Sequence, residues 1–444
     1  MPPGARAATG DRAGDRLSRR NLGLLAALAV ARLAFHAAFL PAFAGPDEPQ
    51  HLARIRDFAD RPLSEALAGR LVDAPLLVEQ GRYPCDAHVR AAAACPGYGE
   101  VPGAFDLLRA APALRATIEV HPIPNVEANQ PPLFYAAAGL ALRPFPLRPA
   151  AQLLAARLLA AALVAAALFG PLRRLSREWP SGLAAAGLLA LLLPGAAEAL
   201  ARCSNDAAVF LWAALVLDRL ARRTPAGAML LLLAAGPLLK LTAIPVAVFA
   251  LVVLARERGP ALAAASLAAS LAFVPVQALR GWMWGGTLEL NSPGAPIAES
   301  FGAVAAGLLR SAYAFVKTAM WVGGQSLRRP PRWLVAAWFA ALGATALSTR
   351  PRPSPRRALA HVAAIACAVA GFAVFAVANR RFYGVWGGVA GWYLWTWSPW
   401  IAEAAADLTT MPARAARPLL ACEAALVVAA NAAWFSDAVR FYGV

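Results

Sequence analysis

The sequence predicts an all-α, polytopic membrane protein, and three observations predict it. Hydrophobic residues make up 59% of the chain and charged residues only 15%, more apolar surface than a soluble globule can cover. Runs rich in Ala, Leu and Val recur from residue 21 to residue 436, and several reach the ~20 residues needed to cross a hydrocarbon core of about 30 Å. The cations sit between those runs, as LRRLSRE (172–178), DRLARR (218–223), RER (256–258) and RPRPSPRR (350–357). That is the pattern left when arginine is retained on the cytoplasmic side. The net charge of +17 therefore reads as membrane topology, and nucleic acid is not an expected partner.

Residues 1–20 form a basic, cytoplasmic N-terminus. The apolar run Leu22–Phe43 is too long for a signal-peptide core and no small-residue cleavage site follows it, so an uncleaved first helix is expected. Residues 44–131 form a long polar loop with no run of spanning length. It holds twelve acids and eight arginines, a balance of −4 inside a chain of +17, which places it on the non-cytoplasmic face. Short amphipathic stretches at 49–58 and 104–111 are expected to lie along the membrane surface. Cys85 and Cys95 share this loop and are candidates for a disulfide on an oxidising face, whereas Cys203, Cys367 and Cys422 read as small packing residues.

Further helices are expected near 150–170, 181–200, 207–221, 260–279, 333–348, 358–378, 392–408 and 418–436, giving about nine to thirteen spans by the length rule. Residues 132–147 read as re-entrant or interfacial. Residues 301–322 read as interfacial, with a spanning alternative, and a second polar loop near 280–300 carries Trp282, Trp284, Glu289 and Glu299. No internal repeat separates units, so 21–444 reads as one transmembrane domain. Residues 227–254 resist a single helix. It would place Lys240 mid-bilayer at a cost of about 2.5–3.5 kcal/mol, and Pro237 would break it. Two short helices meeting at GPLLKLT avoid both problems and leave Lys240 at the outer face or in a cavity, a geometry that suits an anion.

Five short stretches carry candidate chemistry. In GPDEPQH, Pro49 fits a first helical turn, with Asp47 and Glu48 at its positive end and His51 within reach of both. They read either as a general base with an orienting or metal-binding partner or as an ordinary helix cap. EANQPPLFY (127–135) places Asn129, Gln130 and Tyr135 where a proline-stiffened chain returns to the bilayer. ARCSNDAAVF (201–210) places Asn205 and Asp206 at a helix junction, again a site or a cap. Lys240 is one of two lysines among 42 cations, either a compact charge for a lipid phosphate or a snorkelling anchor. GVAGWYLWTWSPW (388–400) offers Trp392 and Tyr393 as a stacking surface or an interfacial belt. The chain has no zinc-ligand spacing, P-loop, GxGxxG or nucleophile elbow, which argues against nucleotide-driven and hydrolase chemistry.

Taken in order, the Asp-Glu box, the polar loop, QPPLFY, SND, LLKLT and GWYL resemble the GT-C clan of membrane glycosyltransferases, and in particular its bacterial members with a D-E-P-x-H box. The likeness runs from about Gly45 to Pro399. It implies a GT-C-like helical bundle that transfers a sugar from a polyprenyl-phosphate donor, on the non-cytoplasmic face of a bacterial-type plasma membrane, to an envelope glycan, lipid or protein. It also implies Asp47 as the acceptor-side base with Glu48 and His51 beside it. Gln130, Tyr135, Asn205, Asp206, Trp392 and Tyr393 would line the cleft, and Lys240 would meet the donor phosphate. No cofactor is required on this reading, with a divalent metal at Asp47 and Glu48 left open. Family relatives often carry Arg at the place of Trp392, which puts a phosphate contact there in doubt. The alternatives are a transporter or flippase of lipid-linked saccharides and a non-catalytic scaffold for envelope assembly.

Overall fold

The computed structural model describes residues 19–40, 42–43, 45, 47–69, 71–72, 76, 79, 123–145, 147–283, 299–320, 330–352, 355, 357–383, 386, 391–410 and 413–442. They are mostly helical. In chain order the helices are α1 (Arg19–Phe39), α2 (Glu48–Asp60), α3 (Leu63–Ala68), α4 (Leu133–Leu142), α5 (Pro149–Ala167, prolonged to Leu175), α6 (Ser181–Ala190), α7 (Pro194–Ala201), α8 (Asp206–Ala221), α9 (Ala226–Leu239), α10 (Ile244–Arg258), α11 (Pro260–Ser270), α12 (Phe273–Met283), α13 (Phe301–Met320), α14 (Arg332–Ser348), α15 (Ala358–Tyr383), α16 (Tyr393–Leu408) and α17 (Ala413–Tyr442). Two-residue strands pair antiparallel, Leu71–Val72 with Ile123–Pro124 and Arg350–Pro351 with Thr409–Thr410. The first pairing joins residues 71–72 to 123–124, both within the long polar loop. Cys85 and Cys95, the stretch 104–111 and Trp284 and Glu289 of the second loop lie outside the described residues.

Among the described residues five helices are long and apolar enough to cross a membrane: Arg20–Phe39, Pro149–Leu175, Pro260–Arg280, Ala358–Arg381 and Ala415–Ser436; α6 and α7, bent by 72°, make a sixth if they form one span. The expectation of nine to thirteen spans counted apolar runs, and several of those runs fold as shorter helices, such as Leu133–Leu142, Ala226–Leu239 and Arg332–Ser348. Their length is cut by proline and by charge. Pro194 opens α7 after the bend, and Lys240 ends α9. In the α5 span, Pro171 lies in a π-helical turn, Leu168–Leu172, as expected where a residue without an N–H interrupts the hydrogen-bond ladder.

Carbonyls freed at these breaks are recaptured by side chains from other helices, as an apolar surround demands. Asn205 Nδ2 donates to Leu239 O at 2.8 Å and Trp397 Nε1 to Thr242 O at 2.6 Å, which fixes the break at Lys240 from α8 and α16. Asn431 Nδ2 donates to Leu192 O at 2.8 Å at the bend between α6 and α7. The expected pair of helices meeting at GPLLKLT is thus the arrangement found, with Lys240 buried rather than exposed.

A large apolar core joins α1, α5, α7, α8, α9, α10 and α16, and a smaller one joins α2, α4 and the start of α5 through Leu52, Ile55, Phe58, Phe134 and Leu153. The surface helix expected at 49–58 is instead part of this second core, with most of α2 buried. Gly139 permits the close approach of α4: a Cβ there would lie 2.6 Å from the carbonyl oxygen of Ile55.

Candidate functional site

The start of α2, the turn before α8, the break at Lys240 and the start of α16 converge at one end of the bundle. Glu48 is fully buried there. Its carboxylate accepts from Arg157 Nε at 2.7 Å and Nη2 at 2.5 Å, from the Gly45 N–H at 3.0 Å and from the Cys203 N–H at 3.0 Å. Burial opposes its charge, but Arg157 and the two backbone donors outweigh it and hold the carboxyl below its ordinary range. Gly45 makes the approach feasible, since a Cβ would meet the Glu48 side chain at 2.6 Å. Glu48, expected as a catalytic partner, is thereby a buried anchor between α2, α5 and the α7–α8 turn. With its oxygens committed, it leaves Asp47 alone of the pair to face a cation. Among the described residues no group of three or more His, Cys, Asp or Glu side chains is arranged to hold a metal.

Asp47 is different in every respect. It occupies the N-cap position of α2 with φ 58° and ψ 10°, the left-handed region, where a non-glycine residue is uncommon. Its side chain makes no capping bond, so the cap account does not apply to it. Among the described residues its half-buried carboxylate accepts no hydrogen bond, while its charge acts on Glu127, Arg202 and Tyr393. His51 is buried. Its Nδ1 lies 2.8 Å from Tyr135 Oη and 3.7 Å from Glu127 Oε2, with the two rings stacked at 5.8 Å. Burial, then the charges of Arg202 and Lys240, hold His51 well below the ordinary histidine range, so it serves as a neutral partner to Tyr135.

Facing Asp47 is a cation pair on one carboxylate. Asp206 Oδ1 accepts from Lys240 Nζ at 2.6 Å, and Oδ2 from Arg202 Nη2 at 2.7 Å and Ser204 Oγ at 3.0 Å. Asp206 is fully buried and both oxygens are engaged, so it positions the cations rather than touching a ligand itself. Two cations on one anion leave this triad a net charge of +1. Trp392 lies under the Arg202 guanidinium at 4.5 Å and Tyr393 under Lys240 Nζ at 5.0 Å, contacts that keep both cations dry and oriented. Arg202 Nη1 and Trp392 Nε1 are buried with no hydrogen-bond partner among the described residues. Buried donors are rarely left so, and here two adjacent ones await an acceptor.

Of the expected site residues, the structure gathers Asp47, His51, Tyr135, Asp206, Lys240, Trp392 and Tyr393 around one locus. Asn205 serves the helix break, and Gln130 contributes its carbonyl oxygen to Arg280 Nη1 at 2.8 Å. Sequence reasoning missed Arg202, although it stands inside the quoted ARCSND stretch, and Arg157, whose place within an apolar run was itself a signal. It also missed Glu127, counted only as one acid of the loop. Comparison of the chain with models of known families, with curated proteins and with solved structures returned no match.

Proposed function

We propose that the protein is a membrane glycosyltransferase that moves a sugar from a polyprenyl-phosphate-linked donor to an envelope glycan, lipid or protein. The observation that carries this reading is an uncommitted carboxylate, Asp47, set opposite dry cations with an unfilled donor, Arg202 Nη1. Glycosyl transfer to a hydroxyl needs both: a base for the acceptor proton and a cation for the departing phosphate. Arg202 also answers the departure at Trp392, because it brings a guanidinium onto that ring, where the family that the sequence resembles often has arginine itself. Analysis of lipid-linked saccharides and their products, in cells with and without the gene, tests the reading. Loss of the gene should raise one lipid-linked sugar and remove one sugar from an envelope product; unchanged profiles contradict it.

A transporter of lipid-linked saccharides is the second reading, favoured by the broken helices at residues 190–194 and at Lys240, since broken helices frame transport sites. It predicts a lipid-linked sugar stranded on the cytoplasmic face, with the transfer reaction intact in opened vesicles.

A further inference from the structure

We infer that Glu127 is a second carboxyl at the acceptor end of this site, hydrogen-bonding the acceptor beside Asp47. The inference rests on the transferase reading. Glu127 sits on a short 3₁₀ turn, Val126–Asn129, braced from several sides. Asn125 Oδ1 accepts from the Glu127 N–H at 2.9 Å, and Asn125 Nδ2 donates to Gln50 O of α2 at 2.9 Å. From α12, Arg280 donates to Gln130 O at 2.8 Å and also to Ala128 O. So much fixation for a four-residue turn points to a side chain whose place matters.

That side chain is only 14% exposed, and its Oε2 is buried with no hydrogen-bond partner among the described residues; the nearest basic atom, His51 Nδ1 at 3.7 Å, sits within hydrogen-bond distance of Tyr135 Oη. The titratable groups facing Glu127 are Asp47 and His51 from the start of α2, Tyr135 from α4, Arg202 and Asp206 before and at the start of α8, Lys240 at the break and Tyr393 of α16. Burial first, and the charge of Asp47 second, push the Glu127 carboxyl up to about 7 against Lys240 and Arg202. Below that pH it is an acid and a donor; above it, a second anion beside Asp47.

In the transfer step the acceptor oxygen bonds to the anomeric carbon while its O–H bond breaks and the proton passes to Asp47. The anomeric C–O bond to phosphate breaks with its electron pair, and the phosphate leaves onto Arg202 and Lys240. Glu127 keeps its proton throughout and donates to a neighbouring oxygen of the acceptor, which favours an acceptor with adjacent hydroxyls.

The test uses membranes from cells carrying wild type, Glu127→Gln or Glu127→Ala in place of the native gene, and follows turnover of the cells' own lipid-linked saccharides from pH about 5.5 to 8.5. Wild-type turnover should fall as pH rises through about 7. Glu127→Gln, a donor that cannot ionise, should keep turnover within about threefold at low pH and abolish the alkaline fall. Glu127→Ala should lose about tenfold, mainly as a raised acceptor KM. An active wild type beside an unchanged Glu127→Ala, or an alkaline fall that persists in Glu127→Gln, overturns the role of Glu127 alone. Absence of wild-type turnover overturns the transferase reading and this role with it.

Discussion

Helix α8 carries the same device at both ends, two cations closed on one aspartate. At its C-terminal end Arg174 and Arg222 bind Asp218 at 2.8 and 3.0 Å, with arginine side chains 35% and 53% exposed. At its N-terminal end Arg202 and Lys240 bind Asp206 at 2.7 and 2.6 Å, with cation side chains 3% and 5% exposed. The first set is joined at the same end of the bundle by Arg357, which meets Glu257 at 3.2 Å and Glu403 at 3.5 Å, and by Trp179, which donates to Glu403 at 2.7 Å. Arg174 and Arg222 are exposed enough for solvent to take whatever bonds they leave over, so the cluster needs no ligand. The buried set has no such outlet. Two charges held in a dry place with a donor still unpaired make sense when a third party brings the missing acceptor. Two cations on one aspartate thus make a structural clamp at the exposed end of the helix and a candidate binding site at the buried end.

Breaking a buried pair should produce the largest effect on folding. Arg157→Met leaves Glu48 charged and unpaired beneath the site, a loss of about 3–5 kcal/mol; it should appear as a large fall in folded yield in a detergent thermal-unfolding assay. Near-normal yield would show that Glu48 is not the anchor its contacts make it. Next comes Arg202→Gln, which keeps a neutral amide on Trp392 and leaves Lys240 to neutralise Asp206. It should express normally and lose about 100- to 1000-fold in turnover of lipid-linked saccharide, as for a lost oxyanion donor. Lys240→Met should fall in the same range, and full turnover by either would separate that cation from the chemistry. The smallest effect belongs to the opposite end. Arg222→Gln removes a mostly exposed partner from Asp218 and should cost under about 1 kcal/mol, with turnover untouched; a defect as large as that of Arg202→Gln would erase the contrast between the two ends.

Much of this was legible in the sequence because its causes are local. Pro237 and a lysine inside an apolar run announce a break before any contact is known, and residues 226–258 break there. Asp47 and Glu48 announce themselves as acids beside a membrane helix, yet their division of labour does not. Glu48 finds its partner Arg157 109 residues away and Cys203 155 residues away, and no periodicity or spacing encodes such a meeting. Arg202 was hidden for a related reason. Its importance lies in the atom left unbonded after Asp206 and Ser204 have taken the others, which only the assembled turn reveals. The expected count of spans rests on hydropathy, which registers an apolar run without registering where a proline or a buried charge divides it.

Asp47, held in a left-handed conformation and without a hydrogen-bond partner among the described residues, is the proposed base of the transfer reaction. Turnover of lipid-linked saccharide by Asp47→Asn, measured beside wild type at equal amounts of inserted protein, tests it most directly. Asn preserves the size of the side chain and tolerates the left-handed backbone, but it cannot take a proton. If Asp47 is the base, turnover falls about 100- to 10,000-fold with unchanged expression; turnover close to that of wild type would remove Asp47 from the chemistry.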